Sequence, residues 1–154
     1  MLADTFATNV PSIGAPAPTP TLDKNAPVPA KRAGRMDNGL ELTVVGLQRP
    51  LKVQGTVPIP ADQQLVLVTV KIRNTQTSGA PLKVIASEFT LKGDGGLTYP
   101  PNPKSVTIPN LLTELNLAPG KEAEAELIFQ IAADDSGLKL FWKSGTQTRT
   151  FLLE

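Results

Sequence analysis

The sequence predicts an all-β fold, an immunoglobulin-like β-sandwich of about seven to nine short antiparallel strands behind an extended Pro-rich N-terminal segment. Three observations carry that reading. Apolar residues recur with period two, not 3.6, from residue 40 onward. Pro- and Gly-rich turns separate the runs, and no stretch reads as a helix of more than a turn. A length of 154 residues, with 15 Pro and 12 Gly, suits one domain plus a segment that builds no core.

In chain order, residues 11 to 29 come first, with Pro11, Pro16, Pro18, Pro20, Pro27 and Pro29 among small residues. Each proline fixes its own φ, removes a backbone donor and biases its predecessor toward extended geometry, so a tether or arm is expected. Phe6, Val10 and Ile13 would give such an arm something apolar to pack on a neighbour. The basic cluster Lys31, Arg32 and Arg35 follows. The expected boundary lies near residues 35 to 38, giving a tether over 1–37 and a sandwich over 38–154.

Leu40, Leu42 and Val44 alternate with Glu41 and Thr43, and Val66, Val68, Val70 and Ile72 alternate with Thr69, Lys71 and Arg73. Both patterns predict half-buried strands. Leu65 and Leu67 break the second pattern at its start, so that end is expected to be covered on both faces. Phe89 and Leu91 lead into Gly93-Asp94-Gly95-Gly96 and then Leu97 to Tyr99, a hairpin signal. Asn110 is expected to cap one helical turn, with Leu111, Leu112 and Leu115 turned inward.

From Glu122 to Ile131, Ala123, Ala125, Leu127, Phe129 and Ile131 face one way and three glutamates the other. Ala and Glu favour helix. The sustained alternation and the Pro119-Gly120 turn pair decide for a strand. Leu138, Leu140 and Trp142 alternate with Lys139 and Lys143, and residues 150 to 154 close the chain in another strand-like run. Trp142 is expected in the core, and Tyr99, beside three prolines, at the surface.

Composition excludes much chemistry. There is no Cys and no His, which removes disulfides, thiolate nucleophiles, imidazole bases and Cys/His metal sites. Fifteen basic against fourteen acidic residues give a net charge of +1, so no global field steers the chain to nucleic acid, and none is expected as a partner. The longest apolar run, Leu65 to Val70 with one Thr, is strand-sized, far from the roughly 18 to 20 residues of a transmembrane segment. Residues 1 to 6 show no basic and then apolar leader, so no signal peptide is expected within this chain.

Asp134, Asp135 and Asp94 are the oxygen-rich candidates for a hard cation, but the spacing lacks an EF-hand pattern and reads as turns. Glu122, Glu124 and Glu126 read as a solvated strand face that discourages edge pairing. Gly93 to Gly96 lacks the Lys-Ser/Thr ending of a phosphate loop. No catalytic, cofactor-binding or metal-binding residue is therefore assigned, and no enzyme is expected. The remaining candidates are a partner-binding loop, Tyr99, Pro100, Pro101 and Asn102, and a basic contact formed by Lys31, Arg32 and Arg35.

Residues 65–75 ending in Asn74-Thr75, Phe89-Thr90-Leu91 with its Gly-rich turn and Tyr99, Pro119-Gly120, and Leu127 to Ile131 together resemble a known family. It comprises immunoglobulin-like domains of unknown function in bacterial secreted proteins and lipoproteins, similar in fold to a mycobacterial immunoprotective extracellular protein and sometimes carrying a telomeric-repeat-binding label. The resemblance covers roughly residues 40 to 154. It implies an extracytoplasmic setting and a tethered, non-catalytic binding or structural module whose partner is a protein or envelope component. Self-association through an edge strand or the N-terminal arm, in a larger assembly, is the alternative. A metal-dependent binder or enzyme is the second alternative.

Overall fold

Period-two alternation becomes strand wherever one face can be buried, and the computed structural model, described over residues 26–51, 59–103 and 108–153, shows this along most of the chain. Ten strands are present among the described residues. They are β1 (Ala33–Arg35), β2 (Leu40–Gln48), β3 (Gln63–Asn74), β4 (Leu82–Ile85), β5 (Phe89–Lys92), β6 (Thr98–Tyr99), β7 (Glu114–Leu117), β8 (Glu122–Ala132), β9 (Lys139–Ser144) and β10 (Gln147–Leu152). One sheet has the order β10-β9-β5-β6 and the other β1-β2-β3-β8, with β4 and β7 forming a separate ribbon. All these pairs are antiparallel.

The core lies between the two sheets. Leu40, Leu42 and Val44 from β2, Val66 to Ile72 in alternation from β3 and Leu127, Phe129 and Ile131 from β8 meet Phe89, Leu91, Leu140, Trp142 and Phe151 from the other sheet in one cluster. Trp142 is fully buried, as expected, and stacks on Phe89 with ring centroids 5.7 Å apart. Leu65 belongs to a second, smaller cluster with Ile128, against which Leu51, Ile59, Leu67, Ile108 and Leu111 pack. The broken alternation at Leu65 and Leu67 thus marks a strand end covered on both faces.

Asn74 closes β3 as its position suggests. It is fully buried, its Oδ1 accepts the Gln76 N–H at 3.0 Å, and its Nδ2 donates to the Leu117 carbonyl at 2.9 Å. Gly120 takes a φ of +79° in the Pro119-Gly120 reversal, where the Gly120 N–H reaches the Asn74 carbonyl at 2.9 Å.

One expectation is corrected here. The helical turn after Asn110 is absent: Asn110 has a φ of +62°, Leu111 bridges β8 at Glu126, and Leu115 lies in β7 opposite Val84. Backbone pairing along β8 satisfies this segment better than one turn of helix, which leaves most of its polar groups unbonded. The packing also takes in β1 and Val28, which precede residue 38. Val28 is fully buried, its N–H donates to the Thr150 carbonyl and its carbonyl accepts from the Leu152 N–H, both at 2.8 Å. Residues 1–25 of the expected tether, with Phe6, Val10 and Ile13, lie outside the described residues.

Candidate functional site

The site with the most internal construction is the end of the sandwich where the turns after β5 and β8 meet the start of β3. Asp135, in the turn after β8, is its centre and is only 7% exposed. Its Oδ1 accepts the Gly95 N–H at 2.9 Å and the Ser136 N–H at 3.0 Å, and its Oδ2 accepts the Tyr99 hydroxyl at 2.8 Å. The Tyr99 oxygen in turn accepts the Ala132 N–H at 3.3 Å. Arg49, just past β2, donates to the backbone carbonyls of Asp135 and Ala133 and, through Nε, to Gln64 at 3.1 Å. Three chain segments therefore meet at Asp135, the turns after β5 and β8 through its carboxylate and Arg49 through its backbone carbonyl.

The electrostatics follow from those bonds. The Gly95 amide, then the Tyr99 hydroxyl and the Ser136 amide, with the Arg49 charge behind them, hold the Asp135 carboxyl below the usual carboxylate range against the opposing effect of burial. Burial, and next the bond to Asp135, push the Tyr99 phenol above its ordinary value. Gly93 is required for the close approach, because a Cβ there would run into the Asp135 carboxylate.

Two adjoining depressions open on this platform. One, of about 430 Å³, is lined by Asp94, Gly95, Leu97, Ala132, Asp134 and Ser136, with Asp135 beneath them. The other, of about 390 Å³, lies among Asp62, Gln63, Leu97, Tyr99, Gln130 and Ile131. Leu97 stands between them and is 54% exposed, the one exposed large hydrophobic among the described residues. Among those residues no three His, Cys, Asp or Glu side chains come together to hold a metal ion. Asp94 instead faces Lys139 at 3.9 Å.

The expected loop Tyr99 to Asn102 is placed differently from its prediction. Tyr99 is buried where it was expected at the surface, because its hydroxyl has an interior acceptor and its ring covers the core. Asn102, at a φ of +55°, is fastened to β8: its N–H donates to the Ile128 carbonyl, its Oδ1 accepts the Ile128 N–H, and its Nδ2 donates to Leu112. Pro101 is half-buried and only Pro100 is exposed. The basic candidates lie elsewhere, along β1 and the turn before it. Lys31 and Arg32 are exposed, and Arg35 faces Glu41 at 3.6 Å.

Asp135 as an organising residue escapes sequence reasoning, because its partners are 36 and 40 positions away. The available signal was a pair of polar turns, Gly93 to Gly96 and Asp134 to Gly137, each following a strand with the same inward parity.

The long sheet edges are partly covered. Val28 lies against β10, while Asn102 and residues 110–112 lie against β8. No helix among the described residues is long and apolar enough to cross a membrane.

Comparison with known proteins places this architecture. No curated protein matches the sequence. The fold is similar to ycdA of Bacillus subtilis, which is assigned as a lipoprotein (TM-score 0.59, 18% identity, covering 76% of this chain and 37% of that one). It is also similar to the yjhA protein of the same organism (TM-score 0.60, 14% identity, 82% and 99% covered). A third similar structure is MPT63, a secreted protein of Mycobacterium tuberculosis (TM-score 0.59, 14% identity, 84% and 98% covered). The chain spans little more than a third of the Bacillus ycdA protein and nearly all of the other two. Residues 35–149 match the model of a domain of unknown function, DUF4352, and the chain belongs to that family.

Proposed function

We propose that this chain is a non-catalytic binding module that works outside the cytoplasm and engages a protein or envelope component through the loop end organised by Asp135. The observation that carries the reading is the fastening of three segments at Asp135, two through its carboxylate and one through its backbone carbonyl, with exposed Leu97 between two depressions above it. A surface fixed before contact loses less conformational entropy on binding, and an exposed leucine on a rigid turn is a natural anchor. The loop from Tyr99 to Asn102 acts as a buttress for this surface and offers Pro100 at its rim. Likeness in fold to a secreted protein and to a protein assigned as a lipoprotein supports the extracytoplasmic setting.

The test combines fractionation of the native host with a photo-crosslinking side chain at Leu97, and a second at Thr43 on the opposite sheet as control. Recovery from envelope or medium, with a discrete adduct from position 97 and none from 43, is expected. Cytoplasmic recovery, or equal labelling from both positions, overturns the reading.

A further inference from the structure

The outer faces of the two sheets treat their charges differently. On β2-β3-β8 the cations are set in register with carboxylates: Arg73 lies between Glu41 and Glu122, and Lys71 is opposite Glu124 with its ammonium 3.6 Å from Glu122. On β10-β9-β5-β6 they are not. Lys92 and Lys139 are direct cross-strand partners, an arrangement of like charges that costs stability. Lys139 leans away to Asp94. Lys92 lies over the Phe141 ring, 5.6 Å from its centroid, and Lys143 follows two positions along β9 on the same face. Neither Lys92 nor Lys143 has a carboxylate partner among the described residues.

A depression of about 220 Å³ lies at this place, with half-buried Phe141 in it and Lys92, Lys143, Thr90, Thr98 and Thr148 around it. Glu88 is the one carboxylate in the lining, its Oε1 accepting the buried Trp142 indole N–H at 3.2 Å, and it stands against the two ammonium groups of Lys92 and Lys143. Thr90 and Thr150 flank Phe141 in register on either side. The combination is an aromatic ring that an exposed, flexible lysine covers, hydroxyls that both donate and accept, and ammonium groups on one sheet face.

We propose that the outer face of the β10-β9-β5-β6 sheet binds an acidic polysaccharide, with a sugar ring on Phe141 in place of the Lys92 ammonium that lies over it, and carboxylates of the units on either side drawing Lys92 and Lys143 to them. Such a ligand relieves the like-charge register of β5 and β9, and a polyanion without rings uses only half of the site. The site is on a different face from the loop end and stands or falls separately from it.

The test is calorimetric titration of the full chain with oligomannuronate, with a neutral glucan of similar length and with inorganic polyphosphate, at low and at physiological salt. Binding of oligomannuronate that weakens with salt and exceeds binding of the other two is expected. Lys92→Gln with Lys143→Gln should weaken it about tenfold, the scale of two exposed charge contacts. Phe141→Leu, which keeps apolar volume without the aromatic face, should weaken it several-fold, and Lys71→Gln on the other sheet should leave it unchanged. Trp142 fluorescence verifies folding of each variant. No binding of oligomannuronate, polyphosphate binding as tight and indifferent to Phe141→Leu, or equal weakening by Lys71→Gln overturns the proposal.

Discussion

Asp135 combines burial with three accepted hydrogen bonds, so its removal leaves the Gly95 and Ser136 amides and the Tyr99 hydroxyl without their acceptor. Asp135→Ala is therefore expected to cost about 2–3 kcal/mol in denaturant unfolding, whereas Tyr99→Phe, which removes the bond to Asp135 and the longer one from the Ala132 N–H, costs about 1–2. In the Asp135→Ala background the Tyr99→Phe change should cost less than it does alone, because the bond between the two side chains is already gone and only the one from the Ala132 N–H remains to lose, and a double-mutant cycle measures that coupling. Independent, additive losses would show that Asp135 does not organise the turns through Tyr99. The pH dependence follows from the direction of each shift. The folded Asp135 carboxyl is the stronger acid, so its contribution is present above about pH 4, the unfolded aspartate value, and is lost as pH falls through the lower folded value. Tyr99 is shifted upward, so its contribution is present below about pH 10 and is lost as pH rises through the folded value. Asp135→Ala should flatten the acid limb of a stability-against-pH curve. An unchanged acid limb would assign that limb to other carboxylates.

Among the elements, the short hook from Val28 to β1 does more than its length suggests, since it joins the edge of each sheet. Val28 pairs beside β10 while β1 pairs with β2, and the buried Arg149 donates to the Arg35 carbonyl at 3.2 Å underneath. The crossing is tight at Gly34, where a Cβ would come within 2.8 Å of both the Val28 side chain and the Phe151 ring. Gly34→Val should thus lower stability by about 1–3 kcal/mol through overpacking. Gly46→Ala, whose Cβ would meet Thr69 at an ordinary 3.7 Å, should stay within about 0.5 kcal/mol of the parent. Equal midpoints for the two variants in urea would show that the hook yields freely. The hook also marks the limit of what periodicity reveals. β2, β3, β8 and β9 are legible in the sequence because each buries one face over four or more residues. β1, β4 and β7 have only three or four residues, and their pairing is decided by what the longer strands leave open. The candidate site was legible only in part: both turns were read as turns, but the bond from Tyr99 to Asp135 depends on how the sheets stack, which no local pattern encodes.

At the scale of the whole molecule, the central pairing joins residues 63–73 of β3 to 122–132 of β8, and one apolar cluster takes side chains from both sheets. Neither sheet can keep its inner face dry without the other, so unfolding should be a single cooperative transition. Trp142 is a built-in probe for this, being the only tryptophan, fully buried, and stacked on Phe89 with Phe151 at 6.4 Å on another side. Its emission should shift at the same denaturant midpoint as the far-ultraviolet circular dichroism of the strands. Refolding should take milliseconds to seconds, as for other sandwiches, because loops of this length must close before the central strands can pair. Separate midpoints for the two probes would mean that the β9–β10 side opens while β2, β3 and β8 remain paired, and the sandwich would then be two stability units sharing one core.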